Sequence, residues 1–279
     1  MTHLLVAVVV GFLGGRLVWL ATAPLFRAPV LARTNWRGRT VPTAAGLILA
    51  LVALVIEAAR GALAAVGAGT RGPIDASVMV VAVACAFAAI GAVDDVGGSP
   101  GTRGFRGHLG AVARGRFTTG LLKLVGGAVV AVAVVSRLPS RSPARLVADA
   151  ALIALSANLG NLLDRAPGRV IKAAAAAFAI LVAASRLRSG LDSVAVVIGA
   201  SLGLLLDDLH EHLMLGDAGA NALGAVLGLG VVLGTAPPAR TGVLVAVAML
   251  NVAGEMLSFS RVIDAVPPLR ALDRAGRRP

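Results

Sequence analysis

Tyrosine is absent from this 279-residue chain, aromatic residues make up only 3% of it, and there is a single cysteine. Cys85 therefore has no intrachain disulfide partner, which excludes a disulfide scaffold. Its place inside an apolar run reads as a small buried residue. Charged residues are also scarce, at 14%, where a soluble domain carries about a quarter. With 57% hydrophobic residues and a mean hydropathy of +0.87, the composition excludes disorder and a coiled coil. It also speaks against an ordinary soluble enzyme. Lysine is nearly missing, at 2 of 26 basic residues. Beside so much Ala, Gly and Val, that preference for arginine reads as a coding bias rather than as function.

What the chain does have is apolar runs near the roughly 20 residues needed to cross a bilayer. Nine such spans are predicted, at 3–22, 43–66, 75–93, 120–137, 145–163, 170–185, 191–206, 218–235 and 241–259. They predict an all-α, polytopic membrane bundle forming one domain over 1–279. Gly11 and Gly15, Gly199 and Gly203, and Gly224 and Gly228 are small-residue pairs that let helices approach closely. The alanine run Ala173 to Ala177 is low in complexity but a good helix former. Ala21-Thr22-Ala23 resembles a signal-peptidase site, yet no Lys or Arg precedes the apolar stretch and Arg16 interrupts it. An uncleaved first span is the reading.

Net charge is +12. The basic residues sit between apolar runs, so they set topology and meet anionic lipid or phosphate, not nucleic acid. Loops 24–42, 94–123, 164–172 and 260–279 carry 17 Arg and Lys, against 7 in 67–74, 136–145, 186–190 and 236–240. The positive-inside rule then puts the N-terminus outside and the C-terminus in the cytoplasm, with 260–279 as a basic cytoplasmic tail. Asp94, Asp95, Asp164, Asp207, Asp208, Glu211 and Asp217 fall at the same cytoplasmic ends. Carboxylates at bilayer edges are costly unless paired, solvated or bound to metal. Arg16, Glu57 and Arg60 lie inside spans, and Glu57 and Arg60 have the spacing of an intrahelical pair.

Four segments on that side carry chemistry-bearing residues, in loops bounded as 24–42, 94–119, 158–172 and 207–217. The first holds Asn35, Arg37, Gly38 and Arg39, then Pro42 and Gly46. The second runs from Gly91 through Asp94 and Asp95 to Arg103, Arg106 and Gly120-Leu121-Leu122-Lys123. Adjacent carboxylates at a helix end hold Mg²⁺ or accept a proton, and equally they stand as a solvated helix end. The third holds Asn158, Asn161 and Asp164; the last two share a helix face and suit a hard cation, or they cap a helix end. In the fourth, Met214-Leu215-Gly216-Asp217-Ala218-Gly219 sets glycines around Asp217 at a helix start, which admits a ligand to exposed amides. His210 and His212 make a poor zinc motif.

In order, N-x-x-G…P…G, G-x-x-D-D, G-L-x-K, N-x-x-N-L-x-D and M-x-G-D-x-G resemble the polyprenyl-phosphate N-acetylhexosamine-1-phosphate transferases (glycosyltransferase family 4). That family includes the lipid I-forming translocase and the undecaprenyl- and dolichyl-phosphate N-acetylglucosamine-1-phosphate transferases. The resemblance runs from Asn35 to about Gly228. It implies Mg²⁺ or Mn²⁺ on Asp217 and Asn161, with Asp94 and Asp95 beside the diphosphate and the acceptor phosphate. It also implies Asp164 at the nucleotide end and Lys123 in the catalytic group; Asn35, Arg37, Gly38 and Asn158 are candidate substrate contacts, and because Lys123 lies far from Asp95 in sequence, Arg103 and Arg106 are candidates for the phosphate-binding cation in its place. The implied partners are a UDP-N-acetylhexosamine donor, a polyprenyl (undecaprenyl) phosphate acceptor and membrane lipid, and a homodimer stays open. The site would lie at the cytoplasmic face of the plasma membrane. The chain departs from the lipid I-forming translocase in having nine spans rather than ten and no His-rich segment before the last span, and from many members in having Pro167 where they have a second aspartate. A relative that binds polyprenyl phosphate or a partner protein without transfer is the alternative reading; a transporter would place its polar groups near the midplane instead.

Overall fold

The computed structural model describes residues 1–35, 37–68, 74–97, 119–139, 142–185 and 190–278. Among them are eleven α-helices, forming an all-α bundle of the membrane-protein type. The helices are α1 (Thr2–Phe26), α2 (Leu47–Ala65), α3 (Ile74–Gly97), α4 (Thr119–Val135), α5 (Pro143–Leu163), α6 (Arg169–Ala184), α7 (Asp192–Leu209), α8 (Gly216–Gly234), α9 (Pro237–Met256), α10 (Phe259–Ala265) and α11 (Pro267–Arg274). A small antiparallel hairpin, β1 (Ala32–Thr34) and β2 (Thr40–Pro42), sits between α1 and α2 and has no counterpart in the sequence reading.

Each of the nine apolar runs falls on one of α1 to α9. Six of these, α1, α2, α3, α5, α8 and α9, are long and apolar enough by themselves to cross a membrane. The other three differ for physical reasons. The 17 residues of α4 and the 16 of α6 rise only about 24–26 Å, short of a hydrocarbon core of about 30 Å. Three aspartates, Asp192, Asp207 and Asp208, charge the two ends of α7, but most of that helix is enclosed by protein and need not face lipid. Large apolar side chains on α1 and α9, such as Leu5, Leu17, Met249 and Val252, remain exposed, which is the surface a bilayer covers.

Glycine contacts fix the relative direction of two helix pairs. The Gly11/Gly15 and Gly199/Gly203 pairs face one another, so α1 and α7 run parallel with backbones in contact. A Cβ at Gly11 would collide with the Val196 carbonyl, and one at Gly199 with the Val8 carbonyl. His3 pairs with Asp192 at one end of this seam (2.6 Å), and Arg16 pairs with Asp207 near the other. That pairing accounts for a charge inside the first span, and Glu57 and Arg60 pair as their spacing suggested (3.4 Å). Gly224 and Gly228 instead seat α8 antiparallel against Ser156 and Ile153 of α5. At the far end of α5, Asp149 is fully buried between Arg145 (2.7 Å) and Arg240 (3.3 Å).

The basic tail folds into α10 and α11 and docks on the start of α6. Asp273 accepts from Arg169 Nε (2.8 Å) and Nη2 (3.0 Å), and Lys172 binds the Leu272, Asp273 and Ala275 carbonyls.

Candidate functional site

The start of α8 organises the site. An α-helix begins with backbone N–H groups that have no intrahelical acceptor. In α8 two of these groups are met from another helix: Asp95 Oδ1 accepts from the Asp217 N–H (3.0 Å) and Oδ2 from the Ala218 N–H (3.0 Å). Thr43 Oγ1 also donates to Asp95 (3.3 Å). Gly91, one turn earlier on α3, makes this approach possible, because a Cβ there would collide with the Asp217 backbone. Gly216, at φ +71°, has Asp95 and Thr43 packed where its side chain would stand. The Gly91-x-x-x-Asp95 spacing thus docks α3 on α8.

Asp94 points elsewhere. Lys123, on α4, places its Nζ 2.5 Å from Asp217 Oδ2 and 3.4 Å from Asp94 Oδ2. Asn161 completes the group, its amide oriented so that Nδ2 donates to Asp217 Oδ1 (2.5 Å) and Oδ1 accepts from Lys123 Nζ (2.9 Å). Four helices, α3, α4, α5 and α8, each contribute one half-buried residue. The sequence distance between Asp94 and Lys123 is bridged directly, while Arg103 and Arg106 lie outside the described residues.

A cavity of about 600 Å³ opens beside the cluster, lined by Asp94, Asp95, Asp164, Asp208, Glu211 and Asp217, with Arg33 and Arg165 among its cations. The stripe of Asn158, Asn161 and Asp164 is real as far as α5 runs, with Asp164 as the C-cap residue. Desolvation, reinforced by the Asp208, Asp217 and Asp95 charges and opposed by Arg165, pushes the Asp164 carboxyl well above its ordinary value. It therefore holds a proton at a pH where an exposed carboxylate has none. Asp208 accepts from the Gly168 N–H (2.7 Å) and ties α7 to the loop after Asp164.

The first loop forms a wall. Asn35 Oδ1 accepts from the Arg37 and Arg39 N–H groups (2.9 Å each), and Gly38 takes the left-handed turn at φ +77°. Asn35 Nδ2 donates to Glu211 (2.9 Å), which also pairs with Arg37 (3.2 Å). The Met214 N–H donates to the Pro42 carbonyl (2.7 Å), joining this wall to the segment before α8. Ala44 and Glu211 both have φ +59°, a strained conformation for non-glycine residues and one that clusters at functional sites.

The structure thus brings Asp94, Asn161, Lys123 and Asp217 together and sets Asp95 and Asp164 beside them. Asn35, Arg37 and Gly38 stand at the rim. Asn158 lies deeper: its amide donates to Asn251 Oδ1 (2.7 Å) and links α5 to α9. Sequence reasoning missed Thr43, Arg33 and Arg165, and Asp208 was noted only as one of several acidic residues. Thr43 followed the basic loop and Asp208 adjoined Asp207, but neither position revealed the direction of its side chain.

Two carboxylates, Asp217 and Asp94, and the Asn161 amide oxygen are hard donors of the kind Mg²⁺ and Mn²⁺ use. The cavity's surplus of carboxylates fits a divalent cation, and a cation there would turn the Asn161 oxygen toward Asp217. No protein-family model matches the chain, and no curated protein matches it.

Proposed function

We propose that the protein transfers a phospho-N-acetylhexosamine from a UDP-sugar to polyprenyl phosphate at the cytoplasmic face of the plasma membrane. The observation that carries this reading is the convergence of Asp94, Lys123, Asn161 and Asp217 at the start of α8, from four separate helices. These are the residues whose motifs resemble the transferase family. With nine crossings, the excess of basic residues in the loops at one end favours the N-terminus outside, and all the clustered carboxylates then share the cytoplasmic side.

Asp217 and Asn161, with Asp94, would hold Mg²⁺ or Mn²⁺, which when bound supplies positive charge to the donor diphosphate. An oxygen of the acceptor phosphate attacks the donor β-phosphorus. The bond from that phosphorus to the bridging oxygen breaks, UMP leaves, and a polyprenyl-diphospho-sugar forms. Lys123 lies where phosphate oxygens crowd and counters their charge. Asp95 is engaged by backbone amides, which leaves Asp94 as the carboxylate that either completes the cation's shell or takes a proton from the acceptor phosphate. Arg33 and Arg165 face the cavity as phosphate contacts. An apolar groove between α5, α6, α8 and α9, lined by Leu163, Val170, Leu223, Leu227 and Val247, offers room for a prenyl chain. Its Gly160 and Leu163 flank Asn161.

One observation favours a non-catalytic binder of polyprenyl phosphate: Lys123 already neutralises the Asp94–Asp217 pair. UMP release separates the two readings. Purified protein is given undecaprenyl phosphate, Mg²⁺ and either UDP-N-acetylglucosamine or UDP-N-acetylmuramyl-pentapeptide. Transfer predicts UMP release that is faster from one donor than from the other, reduced about 100- to 1000-fold by Asp217→Ala. Lipid binding without UMP from either donor would support the binder.

A further inference from the structure

Next to the acidic cavity lies a second one, of about 510 Å³, with the opposite charge. Arg37, Arg165, Arg169, Arg274, Arg277 and Arg278 line it, against Asp264 and Asp273 in its wall and Glu211 paired with Arg37, leaving a surplus of three positive charges. Its size is that of a small-molecule site. Arg165 and Ala166 line both cavities, so the two share a wall.

The arginines come from three distant parts of the chain, and backbone anchors hold them there. Asp273 takes up Arg169 and, at 2.7 Å, Arg277. Arg277 Nε donates to the Pro167 carbonyl (2.9 Å), and Arg37 Nη2 to the Arg278 carbonyl (3.0 Å). These contacts place the carbon frame of the tail rather than saturate its charge. The guanidiniums of Arg165, Arg274 and Arg278 stay exposed, and Asp264 offsets Arg274 alone (2.9 Å). Like charges gathered this closely repel one another unless an anion joins them. The planar guanidinium fork matches phosphate and carboxylate oxygens in pairs.

We propose that the arginine cavity binds a phosphate or carboxylate group of the soluble substrate whose reacting end occupies the acidic cavity. The donor then carries a second anionic group beyond its diphosphate. The link between the cavities rests on the transfer reading above; the anion site itself rests on the arginines alone.

The test starts with inorganic pyrophosphate, titrated calorimetrically into the full-length protein in neutral detergent. Arg165→Gln and Arg278→Gln each weaken binding about tenfold, the effect of losing one charge-assisted contact. Arg165→Lys, which keeps the charge but loses the fork, falls between. Unaltered melting temperatures show that the variants are folded. Equal pyrophosphate affinity in wild type and variants would overturn the proposal. The second arm repeats the titration in nanodiscs of phosphatidylcholine with and without phosphatidylglycerol. Abolition of pyrophosphate binding by the anionic lipid would assign the cavity to a headgroup and overturn the substrate assignment. The third arm compares UMP release from UDP-N-acetylmuramyl-pentapeptide, which bears carboxylates, and from UDP-N-acetylglucosamine. Arg278→Gln lowers the ratio of kcat/KM for the first over the second about tenfold. An unchanged ratio overturns the link between the cavities. Arginine-dependent pyrophosphate binding without UMP from either donor upholds the anion site and defeats the transfer reading instead.

Discussion

Asp95 accepts two N–H groups of α8 and the Thr43 hydroxyl, whereas Asp94 beside it faces the Lys123 ammonium. Successive residues on a helix point about 100° apart, so one carboxylate of the pair joins helices while the other enters the cluster. Their variants should therefore separate stability from chemistry. Asp95→Ala leaves α8 without its cap and lowers stability by about 2 kcal/mol, read from thermal unfolding in detergent. Asp94→Asn keeps stability within about 0.5 kcal/mol while UMP release falls about 100-fold. The opposite pattern would exchange the two roles. The same ambiguity surrounds Asp207 and Asp208, which bind Arg16 and the Gly168 N–H respectively. Composition and spacing flag such pairs, but neither says which member turns inward.

Among elements, the α1–α7 seam and the docked tail differ in what holds them. The seam is steric: four glycines bring two backbones together, and Gly15→Leu would drive a side chain into the Ala200 backbone. That substitution should lower stability by about 3 kcal/mol or more. Gly61→Ala on α2, where nothing stands within 4 Å of the added carbon, should change it by less than about 1 kcal/mol. Both are measured by the same unfolding assay. The tail is held electrostatically. Burial alone would raise the Asp273 carboxyl, but hydrogen bonds and charge from Arg169 and Arg277 outweigh it and hold the group below its ordinary value of 3.8. A lowered carboxyl adds stability that is complete above its unfolded value and is lost as pH falls through the folded one. The amide protection factors in α11, corrected for the intrinsic pH dependence of exchange, should therefore hold above about pH 5 and fall below about pH 4, before the bundle opens. Asp273→Asn should give the lowered protection at neutral pH. The glycine pairs were legible in the sequence because close packing has a spacing. The tail was not, because its docking turns on one aspartate set among arginines.

At the scale of the whole molecule, hydropathy located nine helices because a backbone surrounded by lipid must satisfy its own hydrogen bonds. It did not separate lipid-facing helices from enclosed ones, which is why α7 and α8 read as spans like any other while being buried on most sides. Nor did it join Lys123 to Asp217 across 94 residues, since that contact exists only once α3, α4, α5 and α8 have met. The proposed orientation has a direct check. In a Cys85→Ala background, Thr2→Cys should react with a membrane-impermeant maleimide in intact cells, and Ala275→Cys only after permeabilisation. Reversal of that pattern would invert the topology.

The pairing of Arg16 with Asp207 spans 191 residues of chain. During synthesis at about 5–20 residues per second, α1 leaves the ribosome roughly 10–40 s before its partner helix exists. Throughout that interval a guanidinium sits inside an apolar segment with its eventual counter-ion unmade, and it can reach water only by extending its side chain toward the interface. The first helix is thus the last to settle. Its glycine seam with α7 and the Arg16–Asp207 pair both form late in translation, and a chain truncated before Asp207 should leave α1 poorly retained in the membrane.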